Sequence, residues 1–232
     1  MPPAFRFISL GSDCQPAARI NRIQPSNLSN AGENPTSLSY VFDWVTTQIQ
    51  HIGRLIENDF EGFLDPANLF PNYYEEQFKG VVEAVYRVGL NHDFTNFDEA
   101  NIQRVRDVYK IRIRWFRNLF DPARPPPYFI RRWHPRDGVE DEKQAIALFE
   151  LLRRKRRDIR FLYLHADPGR KEFLTDGYRS AFLRQMDPFL WYGDETAWSY
   201  LLNDFALRFF EGDREAFVLP ATVPQVGKPR FG

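Results

Sequence analysis

A chain of 232 residues with one cysteine, and with 31 basic side chains against 31 acidic ones, is sized for one domain with a full hydrophobic core. The lone thiol excludes an internal disulfide and any cysteine-based zinc site, and no segment approaches the ~18 consecutive apolar residues of a membrane span. Met1-Pro2-Pro3-Ala4-Phe5-Arg6 lacks the basic start and apolar stretch of a signal peptide, so the expectation is a cytoplasmic protein with no membrane partner.

In chain order, Phe5 to Leu10 reads as a short buried strand stopped by Gly11. Its residues are apolar on both faces apart from Arg6 and Ser9, which predicts a strand inside the sheet. Cys14 to Ile23 reads as a helix with Ala17, Ala18 and Ile20 facing inward, and Gln24 to Ser39, rich in Asn, Ser and Pro, reads as a surface loop. Val45, Ile49, Ile52 and Ile56 recur at helical spacing. They predict an amphipathic helix over about 45–60, with Asp43 standing at its N-cap. Val81 to Leu90 alternates apolar and polar residues and reads as a second strand. Asp98 can cap a long helix striped by Ile102, Val105, Tyr109, Ile113 and Phe116, which Asp121-Pro122 through Pro127 ends. Tyr128-Phe129-Ile130 reads as a third strand, about 141–157 as a helix, and Ile159 to Leu164 as a fourth strand. The last third reads as mainly helical, with Ala197, Leu201, Phe205 and Phe209 on one face. The tail 220–232, broken by Pro220, Pro224, Gly227, Pro229 and Gly232, reads as weakly ordered.

Strands alternating with helical patterns predict an α/β fold over 1–219, three-layered, with a mostly parallel central sheet and a largely helical C-terminal third. The zero net charge hides an asymmetry, because residues 102–160 carry 17 basic and 8 acidic side chains. Glu140-Asp141-Glu142 before an apolar stripe and Arg153-Arg154-Lys155-Arg156-Arg157 after it follow the charge order that a helix dipole favours. A solvated helix face therefore accounts for the basic centre better than a nucleic-acid patch does.

Sites in open parallel sheets form beyond the carboxyl ends of the strands. Cys14 follows the first strand, His92 the second, His134 the third and His165 the fourth, whereas His51 sits inside a helix pattern. Gly11-Ser12-Asp13-Cys14 puts the thiol at a tight turn before a helix start, where the dipole favours thiolate. The backbone N–H groups of Cys14 and Gln15 are candidate oxyanion donors there. A lone cysteine is also commonly a small buried hydrophobe, and Asp13 beside it opposes thiolate formation.

The blocks Ile8-Ser9-Leu10-Gly11-Ser12-Asp13-Cys14-Gln15-Pro16-Ala17, Phe42-Asp43-Trp44 and Asn91-His92-Asp93-Phe94 resemble a bacterial family of unknown function described as papain-like cysteine peptidases. The similarity takes in Arg112-Ile113-Arg114 and Tyr128-Phe129-Ile130-Arg131 as well, roughly the first two-thirds of the chain. The resemblance implies a Cys–His hydrolase in which Cys14 attacks a carbonyl, His92 is its base, and Asp43 or Asp93 orients the imidazole. His165 is the reserve base and His134 the third choice. Each supporting residue also has a structural alternative: Asp43 as a helix cap, Phe42 and Trp44 as core, Asp93 as a loop cap, and His92 as a hydrogen-bonded structural histidine.

Neither His92/Asp93 nor His165/Asp167 has a recognised metal-ligand spacing. No Gly-x-Gly-x-x-Gly or Walker loop is present, so no metal or nucleotide cofactor is expected. Two function classes follow. One is a cysteine-dependent hydrolase or acyltransferase acting on a peptide or small acyl substrate. The other is a non-catalytic α/β binding module, or an enzyme of sugar or surface-polymer metabolism, holding an anionic ligand in the basic Arg104–Arg132 region. The titration of the Cys14 thiol separates the two.

Overall fold

The computed structural model describes residues 6–12, 15–23, 39–133, 141–183 and 195–209. Asp13, Cys14, His134 and the tail 220–232 lie outside the described residues. The chain has a mixed α/β fold with two sheets. The larger comprises β1 (Arg6–Ser9), β5 (Pro127–Arg132), β6 (Arg160–His165), β8 (Tyr178–Phe182) and β7 (Phe173–Leu174) in that spatial order. β1, β5, β6 and β8 run parallel and β7 runs antiparallel to β8. The smaller is an antiparallel sheet of β2 (Leu69–Tyr74), β3 (Gln77–Glu83) and β4 (Val88–Leu90). The helices are α1 (Gln15–Ile23), α2 (Ile49–Glu57), α3 (Glu99–Asn118), α4 (Asp141–Lys155) and α5 (Glu195–Phe209).

Successive residues of the parallel strands point to opposite faces, and the apolar side chains divide accordingly. Ile8, Phe129, Phe161 and Tyr163 join a core with α2, α3 and α4 through Ile52, Leu55, Phe116, Leu148 and Leu152. Phe7, Tyr128, Ile130, Leu162 and Leu164 join a second core with Ile20 of α1 and with Trp198, Leu202 and Phe205 of α5. Burial on both faces is why these strands read as continuous apolar runs.

Several expectations hold. α3 begins where Asp98 caps it, the Asp98 carboxylate accepting the Asn101 N–H at 2.7 Å. Its stripe turns Val105, Tyr109 and Phe116 into the core. α4 ends on Arg153, Arg154 and Lys155, with Arg153 paired to Asp176 and Arg154 to Glu57.

Others are corrected. β1 is the terminal strand of the larger sheet among the described residues, not an internal one. An apolar pattern reports that both faces are covered and carries no information on whether both edges are paired. The segment 81–90 is not one strand but part of a hairpin, with Glu83 accepting the Tyr86 N–H at 2.7 Å and Arg87 at φ 52° to turn the chain. β2 completes that sheet, with a register shift at Asn72/Tyr73 and with most of its side chains exposed. The helix expected over 45–60 spans only 49–57, since Thr46 is extended and bridges to Gly89. Asp43 therefore does not cap it. Gln48 holds that position, without a side-chain bond. The described part of the last third contains β7 and β8 as well as α5, so it is not mainly helical. Among the described residues, no helix is long and apolar enough to cross a membrane.

Candidate functional site

The chain leaves β1 through two residues in the left-handed region, Gly11 at φ +72° and Ser12 at φ +91°. Glycine accepts this conformation freely, but for a buried serine it is strained by about 1–3 kcal/mol. The Gly11 N–H donates to Ser9 Oγ at 3.2 Å. A methyl group on Gly11 would sit 3.4 Å from Val45 Cγ2 and 3.5 Å from the Phe42 carbonyl oxygen. The segment 42–47 thus lies directly on the turn. Arg131, fully buried at the carboxyl end of β5, fastens the two together by donating to the Leu10 carbonyl at 3.1 Å and the Thr47 carbonyl at 2.9 Å. Its neighbour Arg132 donates to Gln15 Oε1 at 2.7 Å and so fixes the start of α1.

β4 does not belong to the parallel sheet, so His92 does not follow a parallel strand as the sequence suggested. It reaches the same region by another route. The Thr46–Gly89 bridge draws β4 against the 42–47 segment. β3 presses on the next residues so closely that a methyl on Gly80 would lie 2.6 Å from Asn91 Cα. The exposed His92 ring then packs edge-on against Trp44, centroids 5.9 Å apart, while Trp44 Nε1 donates to Ser39 Oγ at 3.1 Å.

Asp43 is buried, and one of its oxygens accepts the Tyr40 N–H at 2.7 Å. Burial raises its pKa from 3.8 to about 7, although the Tyr40 N–H and the Arg112 charge both act to lower it. Asp93 points the other way, into α3. Its oxygens accept from Tyr109 Oη at 2.8 Å and from Arg112 Nη1 at 2.7 Å, and its main-chain carbonyl accepts from Arg104. Burial, and then the Asp93 charge, push the Tyr109 hydroxyl well above its usual pKa of 10. His92 and Asp93, adjacent in sequence, thus serve different neighbours.

His165 ends β6, two strands from β1, or about 10 Å at ~4.8 Å per strand. It is buried, and among the described residues neither ring nitrogen has a hydrogen-bond partner of normal geometry. Burial, reinforced by Arg170, lowers its pKa. Among the described residues no three His, Cys, Asp or Glu side chains converge as a metal site. A cavity of about 280 Å³, lined by Ile56, Phe60, Phe116, Arg117, Phe120 and Lys155, lies at the carboxyl ends of α2, α3 and α4.

The converging residues come from chain segments that one family model spans. That family is described as "Putative papain-like cysteine peptidase", and its model matches residues 5–164. The chain belongs to this family. No curated protein and no solved structure matches the chain. The family match takes in β1, the Gly11 turn, Cys14, Asp43, Trp44, His92, Asp93 and Arg112, and it stops one residue before His165. β7, β8 and α5 lie beyond it. Tyr109 and Arg131 went unnoticed as site residues. Tyr109 looked like one more member of an apolar stripe, and nothing local marks Arg131 as a buried tie between two carbonyls.

Proposed function

We propose that this chain is a cysteine-dependent hydrolase of peptide or small acyl substrates, with Cys14 as nucleophile, His92 as base and Asp43 as the third group. One observation carries the reading. The His92 ring rests on Trp44, and Trp44 belongs to the segment seated on the Gly11 turn that leads toward Cys14. Asp43 is preferred over Asp93 because both oxygens of Asp93 are already engaged by Tyr109 and Arg112. His165 is the weaker candidate for the base, being buried, depressed in pKa and just outside the family match. Two apolar cores drawing on opposite strand faces support the three-layer arrangement.

In this reading, Cys14 Sγ gives up its proton to His92 and bonds to the substrate carbonyl carbon. The N–H groups of Cys14 and of Gln15, where α1 begins, donate to the oxyanion. The bond from the carbonyl carbon to the leaving group breaks, and that group departs with the proton from His92. Water, deprotonated by His92, then releases the acid and restores the thiol. The alternative of an anionic ligand in the Arg104–Arg132 region draws less support, since Arg104, Arg112, Arg117, Arg131 and Arg132 all hold internal partners.

The test is pH-dependent alkylation of the wild-type chain, His92→Ala and His165→Ala. A Cys14 pKa below the ~8.5 of a free thiol, raised by His92→Ala and unmoved by His165→Ala, is the expected result. The opposite pattern reassigns the base to His165. An inert or ordinary thiol in the wild type ends the hydrolase reading.

A further inference from the structure

Three donors from α3, a single helix, converge on one residue of the loop that carries His92. Arg104 Nη2 donates to the Asp93 main-chain carbonyl, Tyr109 Oη to one carboxylate oxygen at 2.8 Å, and Arg112 Nη1 to the other at 2.7 Å. Arg104 is itself held by Asn101, whose N–H is capped by Asp98. The Arg112 guanidinium lies 4.8 Å over the Tyr109 ring, so it is held through its face as well as its edge. The ion pair is largely buried, with Arg112 and Asp93 side chains only 14 % and 10 % exposed. Screening is weak at such a depth, and removing either partner leaves an uncompensated charge.

We infer that Asp93, Tyr109 and Arg112 form a clamp that positions His92 against Trp44 without contacting the reacting atoms, which makes all three positioning residues. The inference rests on the hydrolase reading for its purpose, though not for its geometry. Anchoring Asp93 on both carboxylate oxygens and its carbonyl fixes the main chain next to His92, and the ring is left on the Trp44 side.

The experiment uses the full chain with Tyr109→Phe, which removes one clamp bond with little change of shape, and Arg112→Lys, which keeps the charge but loses the planar contact. The direct readout is the NMR shift of the His92 ring protons. Trp44 imposes a ring-current shift on them, and Trp44→Leu calibrates its loss. The second readout is the rate of Cys14 alkylation against pH. Both variants are expected to move the His92 resonances toward the Trp44→Leu position. Each is also expected to slow alkylation near neutrality by about tenfold, the size of one charge-assisted hydrogen bond. Unchanged His92 shifts in both variants, with only a lower melting temperature, overturn the clamp and leave a structural ion pair. If the shifts move while Cys14 alkylation is insensitive even to His92→Ala, the clamp stands and the hydrolase reading falls.

Discussion

Replacing Asp43 with asparagine should stabilise the protein at alkaline pH while removing a group that the proposed chemistry uses. Asp43 is only 6 % exposed, and its pKa stands at about 7 instead of the ordinary 3.8. In the unfolded chain the carboxyl releases its proton near 3.8, whereas in the folded chain it keeps it until about 7. Between those values the folded state binds more protons than the unfolded one, so stability falls as pH rises and the loss is complete above about 7. At ~1.4 kcal/mol for each tenfold change in proton affinity, the full loss is about 4 kcal/mol. Asparagine cannot ionise, and its carbonyl oxygen can still accept the Tyr40 N–H. Urea unfolding at pH 5 and pH 8 checks the reasoning. The advantage of Asp43→Asn over wild type should be about 1.5 kcal/mol at the lower pH and should grow by about 2–3 kcal/mol at the higher one. A gap that stays constant, or a variant less stable than wild type at pH 8, would mean that Arg112 outweighs burial and that Asp43 is an ordinary buried anion. Loss of the Cys14 pKa depression in the same variant would make Asp43 a case of stability given up for function.

Two further outcomes test the frame around the site. Arg131→Met should cost about 3 kcal/mol in urea unfolding, because it leaves the buried Leu10 and Thr47 carbonyls without their donor; a change under about 0.5 kcal/mol would show that the tie is incidental. Asp98→Ala should cost about 1 kcal/mol by losing the cap of α3, with Asp98→Asn retaining most of it, and equal losses in the two variants would count against the capping role.

The family blocks were legible because each keeps its residues contiguous. The Gly11 turn follows an apolar strand, Phe42-Asp43-Trp44 stands before a helical stripe, and Asn91-His92-Asp93 closes an alternating run. Hydrophobic period and capping chemistry are local properties, and they located α3, α4, β5 and β6 nearly to the residue. The role of Asp43 was misread for the same reason. Its capping position was inferred from residues that follow it, but the bridge that keeps Thr46 out of the helix comes from Gly89, more than forty residues away.

From its sequence alone the chain declared an α/β fold with a mostly parallel sheet, the tight turn at Gly11 and its family. All of these depend on interactions within a few residues or on the order of blocks. Only the tertiary structure decided that β1 lies at the end of the sheet among the described residues, that β4 pairs in a separate antiparallel sheet, and that His92 turns to Trp44 while Asp93 turns to Tyr109 and Arg112. The physical reason is that edge pairing, ion pairing and burial are set by partners distant in sequence. The pattern of one segment records which of its faces are dry, but not which residue will lie against them.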